Sequence, residues 1–168
     1  MRVAAHVMLA YAVVLILGAV WPQERAVPDV VALSAVYLGL TARHRVAPSL
    51  FGAIAIGYLA DILIGSPRGL LALTAGILCF VGHFVQGRLL VRGVMFTFVF
   101  SFLIGLLAST LHTTFRLAAG LAGDATTELS GMLIVALLTG IAGPLMFRLY
   151  RFVDSRFSRR GSLEGLLL

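Results

Sequence analysis

Residues 46–65 read VAPSLFGAIAIGYLADILIG, an apolar stretch interrupted only by Ser49, the Tyr58 hydroxyl and one carboxylate, Asp61. A bilayer crossing takes about 20 mostly apolar residues. In lipid this stretch is a spanning helix, with Asp61 about 21 Å beyond Ala47 and one turn short of its far end. The composition supports that reading. The chain has 168 residues, 60% hydrophobic and 12% charged, with a mean hydropathy of +1.04, whereas soluble domains carry about 25% charged residues. Such a chain has too little polar surface to face water, and its length suits one compact membrane domain.

Working outward from this stretch, six apolar runs are expected to span, at about residues 3–21, 27–42, 47–64, 70–87, 93–115 and 130–148, with a basic tail at 149–168. The expected fold is therefore all-α: a polytopic six-helix bundle in a single domain. The first run follows Arg2 as a signal peptide would, but no small-x-small cleavage pattern comes before Trp21, so it reads as a retained helix. The second run is short, about 24 Å of helix, and needs neighbours or a thinned bilayer to cover the mismatch.

Cytoplasmic loops collect positive charge. With six spans, one side holds Arg2, Arg43, Arg45, Arg88, Arg92, Arg148, Arg151, Arg156, Arg159 and Arg160, and the other holds Arg25, Arg68 and Arg116. This split predicts both termini in the cytoplasm, with Asp61 near the external end of its helix. The basic pI of about 10.7 then reflects topology, and no basic-aromatic pattern indicates nucleic-acid binding. The tail RLYRFVDSRFSRR, residues 148–160, interleaves Arg148, Arg151, Arg156, Arg159 and Arg160 with aromatic rings. It suits an interfacial helix on anionic lipid, a stop-transfer anchor or a foothold for a cytoplasmic partner.

Small residues at i, i+4 spacing mark close helix approach in lipid, where packing replaces the hydrophobic push. They occur at Ala53-Gly57-Asp61, Ala72-Gly76, Ser101-Gly105-Ser109 and Ala136-Gly140. These faces either pack the bundle or dock a partner's helix. Pro144 is expected to kink the last helix. Pro28-Asp29 reads as helix-start chemistry, with Pro at the first helical position and Asp favoured by the dipole. Ser66-Pro67-Arg68-Gly69 has the signature of a type I turn, which makes a tight hairpin of helices three and four. Asp61 then either snorkels and pairs with Arg68, or organises a helix contact or an outward-opening site. His83 with Gln86, and His112 with Thr110, Thr113 and Thr114, read as hydrogen-bonding groups near helix ends. The lone Cys79 forms no disulfide framework. No HExxH, GxSxG or paired-carboxylate pattern is present, so no enzyme, metal or other cofactor is expected.

The stretches VPDVVALSAVYLGL and PSLFGAIAIGYLADILIGSPRGLLAL resemble the rod shape-determining MreD family of bacterial inner membranes. The likeness lies in a Pro-Asp that opens a short helix and a Gly-x-x-x-Asp-x-x-x-Gly stretch running through a Gly-Ser-Pro-x-Gly turn into a Leu-rich helix. Here these are Pro28, Asp29, Gly57, Asp61, Gly65, Ser66, Pro67, Gly69 and Leu73, within residues 27–75. The resemblance implies a non-enzymatic membrane scaffold of the cell-wall elongation complex. It would partner MreC and, more widely, RodA, a class B transpeptidase and MreB; Pro28, Asp29, Gly57, Asp61, Gly65 and Arg68 are the candidates for a partner surface or pocket. It also implies a fold similar to the substrate-binding subunits of energy-coupling-factor vitamin transporters, which is the alternative function. Those subunits commonly carry an Ala-x-x-x-Ala face on helix one, whereas Ala4, Ala5, Ala10, Ala12 and Ala19 include no pair four apart.

Overall fold

The computed structural model describes residues 2–20, 27–42, 46–64, 69–86, 93–118, 120 and 125–164. They form six helices: α1 Arg2–Val20, α2 Val30–Thr41, α3 Val46–Ile64, α4 Leu70–Gln86, α5 Val94–Ala118 and α6 Ala125–Glu164. By length and composition, three segments are long and apolar enough to cross a membrane: Val46–Leu63, Val94–Ala118 and Glu128–Ser155. Val3–Ile16, Val30–Thr41 and Leu70–Gln86 are shorter apolar helices.

The short helix is the hub. α2 packs against each of the other five helices, and those five touch one another in the closed order α1, α3, α4, α5, α6 and back to α1. Every residue from Val30 to Gly39 is buried. At about 1.5 Å per residue, its 12 residues make a helix of about 18 Å, well short of a bilayer's apolar thickness of about 30 Å. Enclosure supplies what length does not, because α2 has protein on all sides and presents almost no surface for a solvent to cover.

Close approach at the hub depends on missing side chains. A Cβ on Gly39 would run into the backbone carbonyl of Cys79 and lie 2.9 Å from the backbone nitrogen of His83. One on Gly82 would lie 2.6 Å from the Val36 carbonyl oxygen. These reciprocal contacts bring the C-terminal halves of α2 and α4 together, parallel and backbone against backbone. Gly52, on α3, sits where a Cβ would meet Val3 of α1 at 2.7 Å and Leu38 of α2 at 3.5 Å. On the far side of the ring, Gly105 faces Ala136 and Thr139, Gly140 faces Phe98 and Phe102, and Gly143 lies against Ser101, so α5 and α6 are antiparallel. Ser101 is fully buried there, and its hydroxyl has no hydrogen-bond partner among the described residues.

Several boundaries differ from the sequence expectation. α2 begins at Val30, with Asp29 as its N-cap and Pro28 one residue outside. Pro28 therefore does not occupy the first helical position: its carbonyl accepts the Val30 N–H at 2.9 Å, closing the turn that leads into the cap. α6 does not end near residue 148; it runs unbroken through Pro144 to Glu164. Within the expected tail Tyr150 belongs to the core, at 1% exposure.

Two substitutions separate contact from propensity. Gly39→Ala is expected to lower stability by about 3 kcal/mol or more, at or beyond the top of the usual overpacking range, because neither backbone can yield. A Cβ at Gly131 meets nothing within 4 Å, so Gly131→Ala is expected to be neutral or to gain up to about 1 kcal/mol from helix propensity. Thermal aggregation midpoints of the detergent-solubilised proteins measure both.

Candidate functional site

Asp61 ends as a cap on the next helix. It is 1% exposed, and its carboxylate receives backbone N–H groups at the start of α4: Gly69 at 2.9 Å and Ala72 at 3.3 Å on Oδ2, and Leu71 at 3.1 Å on Oδ1. The first four N–H groups of a helix have no partner within it, and the helix dipole favours an anion at that end. An acceptor from the preceding helix meets both needs. Gly57, one turn earlier, lets α4 come close enough: a Cβ there would lie 2.6 Å from Ala72 Cα. The Gly57-Asp61 face is thus turned inward against α4. Asp61 does not snorkel to the surface; it organises the contact between α3 and α4. Gly65 and Arg68 lie outside those residues.

Asp29 does the same for the hub helix from within its own chain segment. Its Oδ1 accepts the Ala32 N–H at 2.8 Å, while its own N–H donates to Thr139 Oγ1 on α6 at 2.9 Å. Thr139 is fully buried and passes its hydroxyl proton to the Val135 carbonyl at 2.7 Å. Sequence reasoning missed Thr139, since nothing in a lone threonine of an apolar helix announces a partner on α2.

The remaining small-residue candidates, Ala53, Ser101, Gly105, Ser109, Ala136 and Gly140, are all buried within the bundle. Bulky residues at Gly57 or Gly105 would therefore disturb folding before any partner contact. Thr110 and Thr114 spend their hydroxyls on their own helix, donating to Leu106 O and Thr110 O. Arg148 and Arg151 are exposed, and Arg151 Nε approaches the Phe147 carbonyl at 3.4 Å. The side chains of Arg156, Arg159 and Arg160 lie outside the described residues.

The opposite end of α2 holds a polar cluster that sequence reasoning did not assemble. Asp154 of α6 accepts from the Tyr37 hydroxyl of α2 on Oδ2 at 2.7 Å, and its Oδ1 lies 3.3 Å from His6 Nε2 of α1. His6 stacks on Tyr37 with centroids 5.5 Å apart and tilts against Tyr150 at 5.6 Å. Ser34 gives its proton to the Val30 carbonyl at 2.6 Å, so the Tyr150 phenol must be the donor in the Tyr150–Ser34 contact. Together with Asp29–Thr139, these contacts set α2 and α6 parallel. The signal was present: Ser34 and Tyr37 are the only polar residues in VVALSAVYLGL, and Tyr150 and Asp154 are four apart on α6.

Among the described residues, no group of three or more His, Cys, Asp or Glu side chains is placed to hold a metal ion. Comparison with protein-family models, with characterised proteins and with solved structures finds no match for this chain.

The Asp61 cap predicts a graded series. Asp61→Asn keeps one acceptor oxygen but turns an NH2 toward N–H donors, and is expected to cost about 1–2 kcal/mol, near the value of a charge-assisted bond. Asp61→Leu strands the N–H groups of Gly69, Leu71 and Ala72, at about 1–3 kcal/mol each. It is expected to abolish accumulation of folded protein. Thermal midpoints and detergent-extracted yield at equal expression test the order parent, Asn, Leu; a Leu variant as stable as the parent contradicts it.

Proposed function

We propose that this chain is a multi-pass protein of a bacterial inner membrane, with six membrane-crossing helices and cytoplasmic termini. In this reading it is a non-enzymatic scaffold of the MreD kind that holds MreC and, through it, the peptidoglycan synthases of the elongation complex. The observation that carries the reading is where the family-like residues fall. Asp29 caps the hub helix with Pro28 in the turn before it, and Gly57, Asp61 and Gly69 join α3 to α4 through one buried carboxylate. The stretch that resembles MreD is thus the part that builds the bundle's centre and one of its ends.

Large apolar side chains on the outer helices support the membrane reading. Phe51, Phe80, Met95, Leu133, Ile141 and Leu145 are all exposed, a burden in water and ordinary in contact with acyl chains. Exposed Arg148 and Arg151 lie at the α6 end that the arginine distribution assigns to the cytoplasm. Since α2 is sheathed, a partner's transmembrane helix must dock on the outer five. A scaffold also gains from a rigid, closed ring, because a partner then meets a preorganised surface and less ordering entropy is lost on binding.

Co-expression with MreC tests the proposal. The expected result is a complex that survives detergent extraction and size-exclusion chromatography, with no change in thermal midpoint across a panel of water-soluble vitamins. A vitamin-specific rise in midpoint that grows with ligand concentration, together with failure to retain MreC, overturns the scaffold in favour of a transporter's substrate-binding subunit.

A further inference from the structure

The outer face of α6 changes character abruptly, from a line of aliphatic side chains to two arginines. Leu133, Leu137, Ile141 and Leu145 succeed one another at i, i+4 spacing and are all exposed, on the side of the helix turned away from buried Ala136, Thr139, Phe147 and Tyr150. From Leu133 to Leu145 the line runs about 18 Å at 1.5 Å per residue. One leaflet's share of a hydrocarbon core about 30 Å thick is about 15 Å. Arg148 and Arg151 follow within two turns of Leu145, both exposed.

Residues three apart on a helix are surface neighbours, with Cβ atoms about 5–6 Å apart, so the two guanidinium groups are placed to close on one anion. Neither forms an ion pair among the described residues. Asp154, the next acidic residue along α6, turns inward to Tyr37 and His6. Arg151 sets Nε toward the Phe147 carbonyl, and its two terminal nitrogens remain as donors.

We propose that Arg148 and Arg151 hold the phosphate of an anionic phospholipid whose acyl chains lie along Leu145, Ile141 and Leu137. The proposal rests on the membrane reading given above and adds a ligand to it. Guanidinium groups suit phosphate oxygens, because a planar fork of N–H donors matches them in pairs. Two positive charges without a carboxylate partner favour a lipid of net negative charge over a zwitterionic one, whose own cation offsets its phosphate. The aliphatic line selects a lipid over a free phosphate ion, which would leave that line uncovered. A partner's helix could cover the line, but it would have to bring its own anion to the level of the arginines, where headgroup phosphates already stand.

Native mass spectrometry of the full-length protein in mild detergent, titrated with dioleoyl phosphatidylglycerol or dioleoyl phosphatidylcholine, tests the site. The expected result is tighter binding of phosphatidylglycerol. Arg148→Gln and Arg151→Gln should each lower that preference about fivefold, the weight of one basic side chain near an anionic lipid surface. The double variant should bind both lipids alike. Arg116→Gln, at an exposed arginine on the opposite end of the bundle, should leave the preference unchanged. Thermal midpoints equal to the parent's in phosphatidylcholine establish that the variants are folded. Equal binding of the two lipids by the parent overturns the site, and so does a preference that the double variant retains. Displacement of phosphatidylglycerol by inorganic phosphate overturns lipid as the source of the anion. Loss of MreC from the double variant, with no lipid preference in the parent, assigns the arginines to a protein partner and overturns the lipid site. A chain that fractionates as soluble without detergent removes the membrane reading itself, whereas a membrane-bound chain without the preference removes only this site.

Discussion

A helix of 12 residues buried from Val30 to Gly39 sets the terms for everything around it. It cannot present a polar face, because it has no face that meets solvent. Its neighbours must approach on every side, and the nearest of them do so backbone to backbone at Gly39 and Gly82. Five helices in a closed ring answer that requirement. The cost is that each rim helix has an outer surface that is still apolar, which suits a bilayer and suits little else.

Polar chemistry is accordingly pushed to the two ends of the hub. At one end, carboxylates face helix N-termini: Asp29 its own and Asp61 that of α4. Backbone N–H groups and the dipole there make a carboxylate tolerable in surroundings that otherwise reject charge. At the other end, an aromatic cluster of His6, Tyr37, Tyr150 and Phe147 encloses one further carboxylate, Asp154, with a hydroxyl and an imidazole as its partners. The first arrangement fixes hairpin and helix starts locally. The second joins α1, α2 and α6, elements far apart in the chain.

Much of the fold was legible because helices in this chain are written as long apolar runs, and boundaries fell within a few residues where Pro, Gly or Asp marks them. The shortness of the second run already implied cover from neighbours. What the runs do not carry is which helix lies at the centre, since α2 and α3 are both apolar nearly all round and periodicity has no polar face to point with. Asp61 was conspicuous as a lone carboxylate, and a role in shaping the α3–α4 hairpin could be framed from its position; its acceptors' partners, the N–H groups of Gly69, Leu71 and Ala72, are backbone and leave no mark in the sequence. The tail misled for a related reason. Five arginines dominate residues 148–160, whereas Tyr150 and Asp154 between them point inward. The His6–Asp154 pairing joins residues 148 positions apart, and no local pattern connects them.

The enclosure of α2 within a ring of apolar outer surface can be tested without reference to function. A lipid-soluble carbene precursor, photolysed with the protein in nanodiscs and followed by peptide mass spectrometry, marks side chains that meet acyl chains. The structure predicts label on Phe51, Met95, Leu133 and Ile141 and none on residues 30–39. Labelling of Leu33, Val36 or Leu38 at a level comparable with Leu133 would contradict a central α2 and the ring built around it.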